Sequence, residues 1–312
     1  MRKKRIILFI ILILYGNSLF SRSEDETRRK TLQKKCEAVM ADIEGCLGIV
    51  DLKSQKVITA VNSPLLVSQS FKPGSVIKIL TAIAAINSGK VNPDELYKCS
   101  GKAQFDELSF DCWLPKGHAN MNLTEAIAQS CNLYFYNITS KLDIEDIRNV
   151  FQKFGIGKKT LFDLPGENPG LFNKTDNKLE KYYLALGRSE NLLVTPLQML
   201  YIISVIASKG YFAGSPFPLD NPKYSPLYRG LRKSALEGTA RESNFLKMKP
   251  AGKTGTFAGK FKSKTSAWFA GYAPNDKPEI AIVIFIKEGR GATNAAPIAK
   301  KVFKCYYDIY YR

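Results

Sequence analysis

Strand-like apolar runs stand near both ends of this chain, with helical patterns between them. Near the start, Cys46–Leu52 and Lys56–Val61 bracket a short polar turn and read as a β-hairpin. Near the end, Gly252–Thr256, Ser266–Tyr272 and Ile280–Ile286 read as three neighbouring strands with short links, followed by a closing helix over Ala295–Tyr311. Strands so placed imply one antiparallel sheet assembled from both chain ends, flanked by helices, with an all-helical lobe inserted over about 90–210. The expected class is α+β, with a single domain over 45–312. Ahead of it, 22–44 carries a polar segment and an amphipathic helix whose stripe is Leu32, Cys36, Val39 and Ile43. Tyr211–Lys249 holds several prolines and no periodicity, and reads as surface loop.

Within the lobe, Leu123–Gln129 and Leu133–Lys141 are helical on either side of Ser130-Cys131-Asn132. Ile144–Phe154 ends at a Gly-Ile-Gly turn, and Thr195-Pro196 opens a long apolar helix that stops at Gly210, with proline early and glycine late. The most unusual stretch is Phe71-Lys-Pro-Gly-Ser-Val-Ile-Lys-Ile-Leu80. Proline and glycine stop the preceding segment, and an apolar run to Ile86 then predicts a helix buried nearly all round, with Ser75 in its first turn. Lys78 shares a face with Ser75. A lysine buried there is costly unless it is paired or has a task.

The N-terminus points to export. Met1–Arg5 is basic, Ile6–Tyr15 is apolar, and a polar, charged stretch follows, so 1–21 reads as a signal peptide or short anchor, with the rest periplasmic or on the outer face of the membrane. Six cysteines in an exported chain permit disulfides, and Cys99 with Cys112, flanking a short polar segment, is the preferred pair. With no C-x-x-C and with His118 as the only histidine, neither a metal site nor a Ser-His-Asp triad is expected. The formal net charge of +18 suits a polyanionic neighbour, but no basic run interleaved with stacking aromatics supports a nucleic-acid partner.

Three short elements can meet where the lobe faces the sheet: Ser75-x-x-Lys78, Ser130-x-Asn132 and Lys253-Thr254-Gly255. Acyl transfer needs a nucleophile, a base, and donors for the developing oxyanion. Ser75 would lose its proton to a neutral Lys78, a state favoured by burial and by cationic Lys253. Ser130 can relay a proton to the leaving amine, and Asn132 can hydrogen-bond Lys78 or substrate. Along the strand, Thr254 and Thr256 share one face while Lys253 and Gly255 share the other. Thr254 and Lys253 would bind a carboxylate, and Gly255 would leave room for close helix packing. The backbone N–H groups of Ser75 and Thr256 would form the oxyanion hole. Cys131 reads as a small buried residue.

Together with Gly117–Leu123, Phe154-Gly-Ile-Gly157, Asp163–Glu167, Leu193–Gln198 and Trp268–Pro274, these elements make the chain resemble the transpeptidase domain of penicillin-binding proteins over about 45–305. The resemblance implies a β-lactamase/transpeptidase-like fold and acylation of Ser75 by D-Ala-D-Ala stem peptides. The acyl group would pass to an amine or to water, β-lactams would acylate the same serine, and no cofactor is implied. Larger family members carry further domains, so glycan polymerisation is expected from a separate protein. The nearest rivals are a D,D-carboxypeptidase and a serine β-lactamase, for which Glu167 would have to activate water. A non-catalytic β-lactam sensor or wall scaffold stands further off.

Overall fold

The computed structural model describes residues 24–162, 164–174, 177–215, 217–258 and 265–312. The signal or anchor expected over 1–21 lies outside the described residues. A first helix, α1 (24–40), leads into the hairpin β1 (Gly45–Asp51) and β2 (Lys56–Val61), followed by α2 (Ser63–Ser68). A 3-10 turn over Gly74–Ile77 runs directly into α3 (Lys78–Ser88). The lobe then contains β3 (Tyr97–Cys99), β4 (Lys102–Phe105), β5 (Leu108–Asp111), β6 (Ala119–Met121), α4 (Leu123–Gln129), α5 (Asn132–Ser140) and α6 (Ile144–Lys153). It continues through β7 (Leu171–Phe172), α7 (Lys178–Ala185), β8 (Leu192–Leu193) and α8 (Pro196–Ala207). The chain closes with α9 (Ser225–Leu236), β9 (Ala251–Ala258), β10 (Thr265–Ala273), β11 (Ile280–Ile286) and α10 (Ala296–Tyr310).

The main sheet has five antiparallel strands in the order β2-β1-β11-β10-β9, so the first strand of the chain pairs with the last. Both faces are covered, which is why Ile280–Ile286 contains no polar residue. Side chains alternate along each strand. Val283 and Phe285 of β11, with Trp268, Ala270 and Tyr272 of β10, face the lobe helices. Ile282 and Ile284, with Phe269 and Ala267, face α1 and α10.

The sheet built from both chain ends is as expected, but three readings are corrected. The lobe is not all-helical: it carries three two-stranded ladders, β3 with β6, β4 with β5, and β7 with β8, each too short to show a period in sequence. Tyr211–Lys249 is not merely surface loop. It contains the twelve-residue α9, which buries Leu227, Gly230, Leu231, Ser234 and Ala235. Pro226 sits at the start of that helix, where its missing N–H costs nothing. Gly230 is demanded by packing, since a Cβ there would lie 2.7 Å from Ile127 Cβ on α4. Finally, α1 stops at residue 40, and its buried stripe is Leu32, Cys36 and Met40, with Val39 and Ile43 only partly covered.

Candidate active site

The turn carrying Ser75 is clamped from several sides. Trp268 Nε1 donates to the Lys72 carbonyl (3.1 Å), Lys72 pairs with Glu190, and Gly74 N–H donates to the Gly187 carbonyl (3.1 Å). Gly74 has φ +53°, and a Cβ there would lie 2.8 Å from the Thr256 carbonyl oxygen. A Cβ at Gly255 would meet the Pro73 carbonyl at 2.9 Å and Val76 N at 3.0 Å. The backbones of 73–76 and 255–257 therefore touch, which puts the Ser75 and Thr256 amides on abutting stretches. The sequence placed Ser75 and Lys78 in one α-helical turn; they lie instead at the start of a 3-10 turn and at the first residue of α3. Residues three apart eclipse in a 3-10 turn, so Ser75 and Lys78 stack on one side. Ser75 is half-buried.

Lys78 is fully buried. Its Nζ donates to the Ser130 carbonyl (2.9 Å) and to Asn132 Oδ1 (2.7 Å), and it lies 5.2 Å from the centre of the Phe135 ring. Burial is the main cause that pulls its pKa down to about 7; the Cys131 and Cys112 thiols oppose the shift and Arg188 adds to it. The acceptors come from the turn between α4 and α5. Ser130 closes α4 in the left-handed conformation (φ +54°), an uncommon state for a non-glycine residue, and is buried. Cys131 then caps α5, its Sγ accepting from Tyr134 N–H (3.4 Å).

Strand β9 supplies the opposite wall. Thr254 Oγ1 donates to Thr239 Oγ1 (2.7 Å), and the exposed Thr256 accepts from Gly291 N–H through Oγ1 (3.0 Å). Lys253 departs from expectation. It is fully buried and donates to the Thr254 carbonyl (3.0 Å), so in this conformation its charge is not presented to a ligand. Burial, then nearby Lys78, hold its pKa well below the usual lysine value. Sharing a strand face with Gly255 turns it toward the side on which Gly255 abuts the 73–76 turn.

Thr239 is a site residue that the sequence reading missed, because its segment showed no pattern. It is fixed by its N–H to the Ala128 carbonyl (3.0 Å), and a Cβ on neighbouring Gly238 would fall 2.2 Å from that same oxygen. Thr239 thus bridges the end of α4 to β9. Beside it runs a cavity of about 400 Å³ lined by Trp113, Gln129, Thr239, Glu242 and Thr293. A larger cavity of about 850 Å³, at α9 and Tyr272, is lined by none of the candidate catalytic or substrate-binding residues.

Two further readings change. Cys99 and Cys112 are not joined; both are buried free thiols, and each faces His118. Cys131, read as mere packing, belongs to the same group, which could hold a metal ion. Glu167 is buried, its carboxylate accepting from Thr160 N–H (2.6 Å), Thr160 Oγ1 (2.9 Å) and Leu164 N–H (3.0 Å).

The profile of the penicillin binding protein transpeptidase domain matches residues 45–304. The chain belongs to that family. It is 28% identical over 280 residues to the peptidoglycan D,D-transpeptidase MrdA of Acinetobacter baumannii, covering 75% of this chain and 42% of that protein. Stage V sporulation protein D of Bacillus subtilis is also 28% identical over 280 residues, covering 78% and 43%. The chain therefore spans less than half the length of these relatives. Among solved structures, Pseudomonas aeruginosa PBP2 in complex with WCK 5153 superposes with a TM-score of 0.78 at 22% identity, covering 89% of this chain and 74% of that one. The Helicobacter pylori PBP2–MreC complex gives 0.81 at 22%, covering 90% and 63%. At such identity these likenesses speak to the fold. Within it, the motif residues of this family member stand where two lobes meet.

Proposed function

We propose that this protein is a peptidoglycan D,D-transpeptidase that works through an acyl-enzyme on Ser75. The observation that carries the reading is Lys78: a fully buried amine, one 3-10 turn from a half-buried serine, held by two acceptors and with its pKa brought to about 7. Neutral Lys78 accepts the Ser75 Oγ proton as Oγ attacks the carbonyl of the penultimate D-Ala. The Ser75 and Thr256 amides stabilise the oxyanion. Ser130 passes a proton to the departing D-Ala amine, and the stem peptide is left as an ester on Ser75. Asn132 holds Lys78, and Thr254 with Thr239 meets the substrate's terminal carboxylate. An amine from a second stem peptide then attacks the ester, the C–Oγ bond breaks, and the proton lost by the amine passes through Lys78 to Ser75 Oγ, restoring the hydroxyl and the neutral lysine.

The buried Glu167 carboxylate, already accepting three hydrogen bonds from its own loop, favours transfer over β-lactam hydrolysis, since it is engaged in holding that loop. β-Lactams would acylate Ser75 in place of the stem peptide. The reading puts the site outside the cytoplasm, where cross-linking needs it. It leaves glycan polymerisation to a separate protein, in keeping with a relative's structure that concerns coordination of polymerization and crosslinking by a peptidoglycan synthase complex. The test incubates the full chain with labelled penicillin and then with disaccharide-peptide polymer. Label lost in Ser75→Ala and cross-linked dimers by mass are expected. Tetrapeptide monomers alone would make it a carboxypeptidase, and steady β-lactam turnover after the burst would make it a β-lactamase.

A further inference from the structure

Four side chains that the proposed acyl transfer does not use converge beside the Ser130 turn. Cys99 ends β3, Cys112 follows β5, His118 precedes β6, and Cys131 lies between Ser130 and Asn132. His118 Nδ1 is 3.4 Å from Cys112 Sγ and 3.6 Å from Cys99 Sγ, and Cys112 Sγ is 3.9 Å from Cys131 Sγ. All four donor atoms lie within 4.8 Å of one another. Bonds of about 2.3 Å to sulfur and about 2.0–2.1 Å to nitrogen around one tetrahedral ion separate neighbouring ligand atoms by roughly 3.5–3.8 Å. The three separations of 3.4–3.9 Å are of that size. The Cys112–Cys131 Sγ–Sγ distance is nearly twice the roughly 2.05 Å of a disulfide.

Hydrogen bonding alone accounts poorly for the cluster. Thiols are weak hydrogen-bonding groups, and His118 turns Nδ1 to the sulfurs while its buried Nε2 has no partner among the described residues. The loop is also shaped for close approach: Gly101 and Gly117 both have positive φ, and a Cβ on Gly117 would lie 2.0 Å from the Cys99 carbonyl oxygen. Three sulfurs and one imidazole, with no carboxylate, suit zinc and not magnesium or calcium.

We propose that Cys99, Cys112, His118 and Cys131 bind one Zn²⁺ in a closed, structural Cys3His site that fixes the Ser130–Asn132 turn. On binding, each thiol releases its proton to solvent and the thiolate ligates the ion. Four protein ligands complete the tetrahedron, so no coordinated water remains for hydrolysis. The ion ties the 99–118 segment to the α4–α5 junction, whose Ser130 carbonyl and Asn132 amide hold Lys78. It also seats Trp113, which follows Cys112, packs edge-on against His118 (5.0 Å), donates to the Gln129 carbonyl (3.1 Å) and lines the cavity beside Thr239.

The test begins with elemental analysis of the full chain purified under reducing conditions without chelator. About one zinc per chain is expected, and Co²⁺ added to metal-stripped protein should give the intense absorption of a tetrahedral thiolate site. His118→Ala should weaken zinc binding by more than the roughly 10–100-fold that loss of an outer partner costs, whereas Cys305→Ser, outside the cluster, should leave it unchanged. Stripped wild-type protein covers the case of a variant that does not fold. Absence of both zinc and cobalt absorption, or a disulfide between any two of the three cysteines by mass mapping, overturns the site. The turn-fixing part rests on the acyl-enzyme reading: stripped protein should acylate with labelled penicillin more slowly and recover with Zn²⁺. An unchanged rate overturns that part. Zinc-replete protein that takes no label counts against the acyl-enzyme reading, and its metal content still supports the site.

Discussion

On the proposed reading Lys78 is buried and basic at once, and its two hydrogen bonds are compatible with both. A neutral amine has two N–H groups, which the Ser130 carbonyl and Asn132 Oδ1 accept, leaving its lone pair for the Ser75 proton. Burial lowers its pKa to about 7 against the opposing thiols of Cys131 and Cys112, with Arg188 assisting, while burial and then Lys78 hold the Lys253 pKa well below the usual lysine value. Charging both buried lysines at once is costly. Protonation removes the base, so acylation by labelled penicillin should rise with pH through about 7 and then level off. Lys78→Arg, which keeps a cation and cannot lose its proton, should acylate roughly 10²–10⁴-fold more slowly. A flat profile across this range, or an arginine variant at the wild-type rate, would remove Lys78 as the base.

At the scale of elements, the site depends on where backbones touch. Gly255→Ala forces a methyl against the Pro73 carbonyl and Val76 N, so β9 must move off the Ser75 turn. Acylation should fall by about 10²-fold, the cost of a displacement near 1 Å, while the melting temperature changes little because β9 is an edge strand. The 164–170 loop makes the opposite prediction. Glu167→Gln turns an N–H group toward donors that now meet a carboxylate, and should destabilise by about 1–3 kcal/mol, read by chemical denaturation. Its penicilloyl-enzyme should decay no more slowly than the wild type; a longer-lived adduct would mean that Glu167 activates water after all. The contrast also marks what could be read from sequence. Ser75, Lys78, Ser130, Asn132 and the β9 residues declared themselves because short motifs sit on elements with clear periods. Thr239 did not, since what fixes it is the fit of Gly238 onto Ala128, a contact far along the chain. Lys253 was legible as a residue but not in its burial, because strand alternation tells which face it takes and not how deeply that face is packed. Cys99, Cys112, His118 and Cys131 come together only through paired ladders too short to leave a period.

The whole molecule extends beyond the stretch that matches the family, which begins at residue 45 and leaves α1 outside. Yet α1 is part of the core. Leu32 and Cys36 are wholly buried and Met40 nearly so, against the same sheet face as Leu47, Ile49, Ile282 and Ile284. Gln33 also acts as a substitute strand: its side chain donates to the Ala60 carbonyl (3.0 Å) and accepts from Ala60 N–H (3.1 Å), closing part of the open edge of β2. The exposed pairs Arg28–Glu24, Arg29–Asp25 and Lys30–Glu26 contribute little by comparison. Losing one buried leucine-sized side chain costs about 2–5 kcal/mol, and a domain has only about 5–15 kcal/mol in all. A chain trimmed to begin at Gly45 should therefore melt well below one beginning at Glu24, or aggregate through the bared sheet face, although every motif residue remains. Thermal melting followed by circular dichroism, with labelled-penicillin uptake on the same samples, checks this. Equal melting and equal uptake would show that the sheet does not need α1 as its cover.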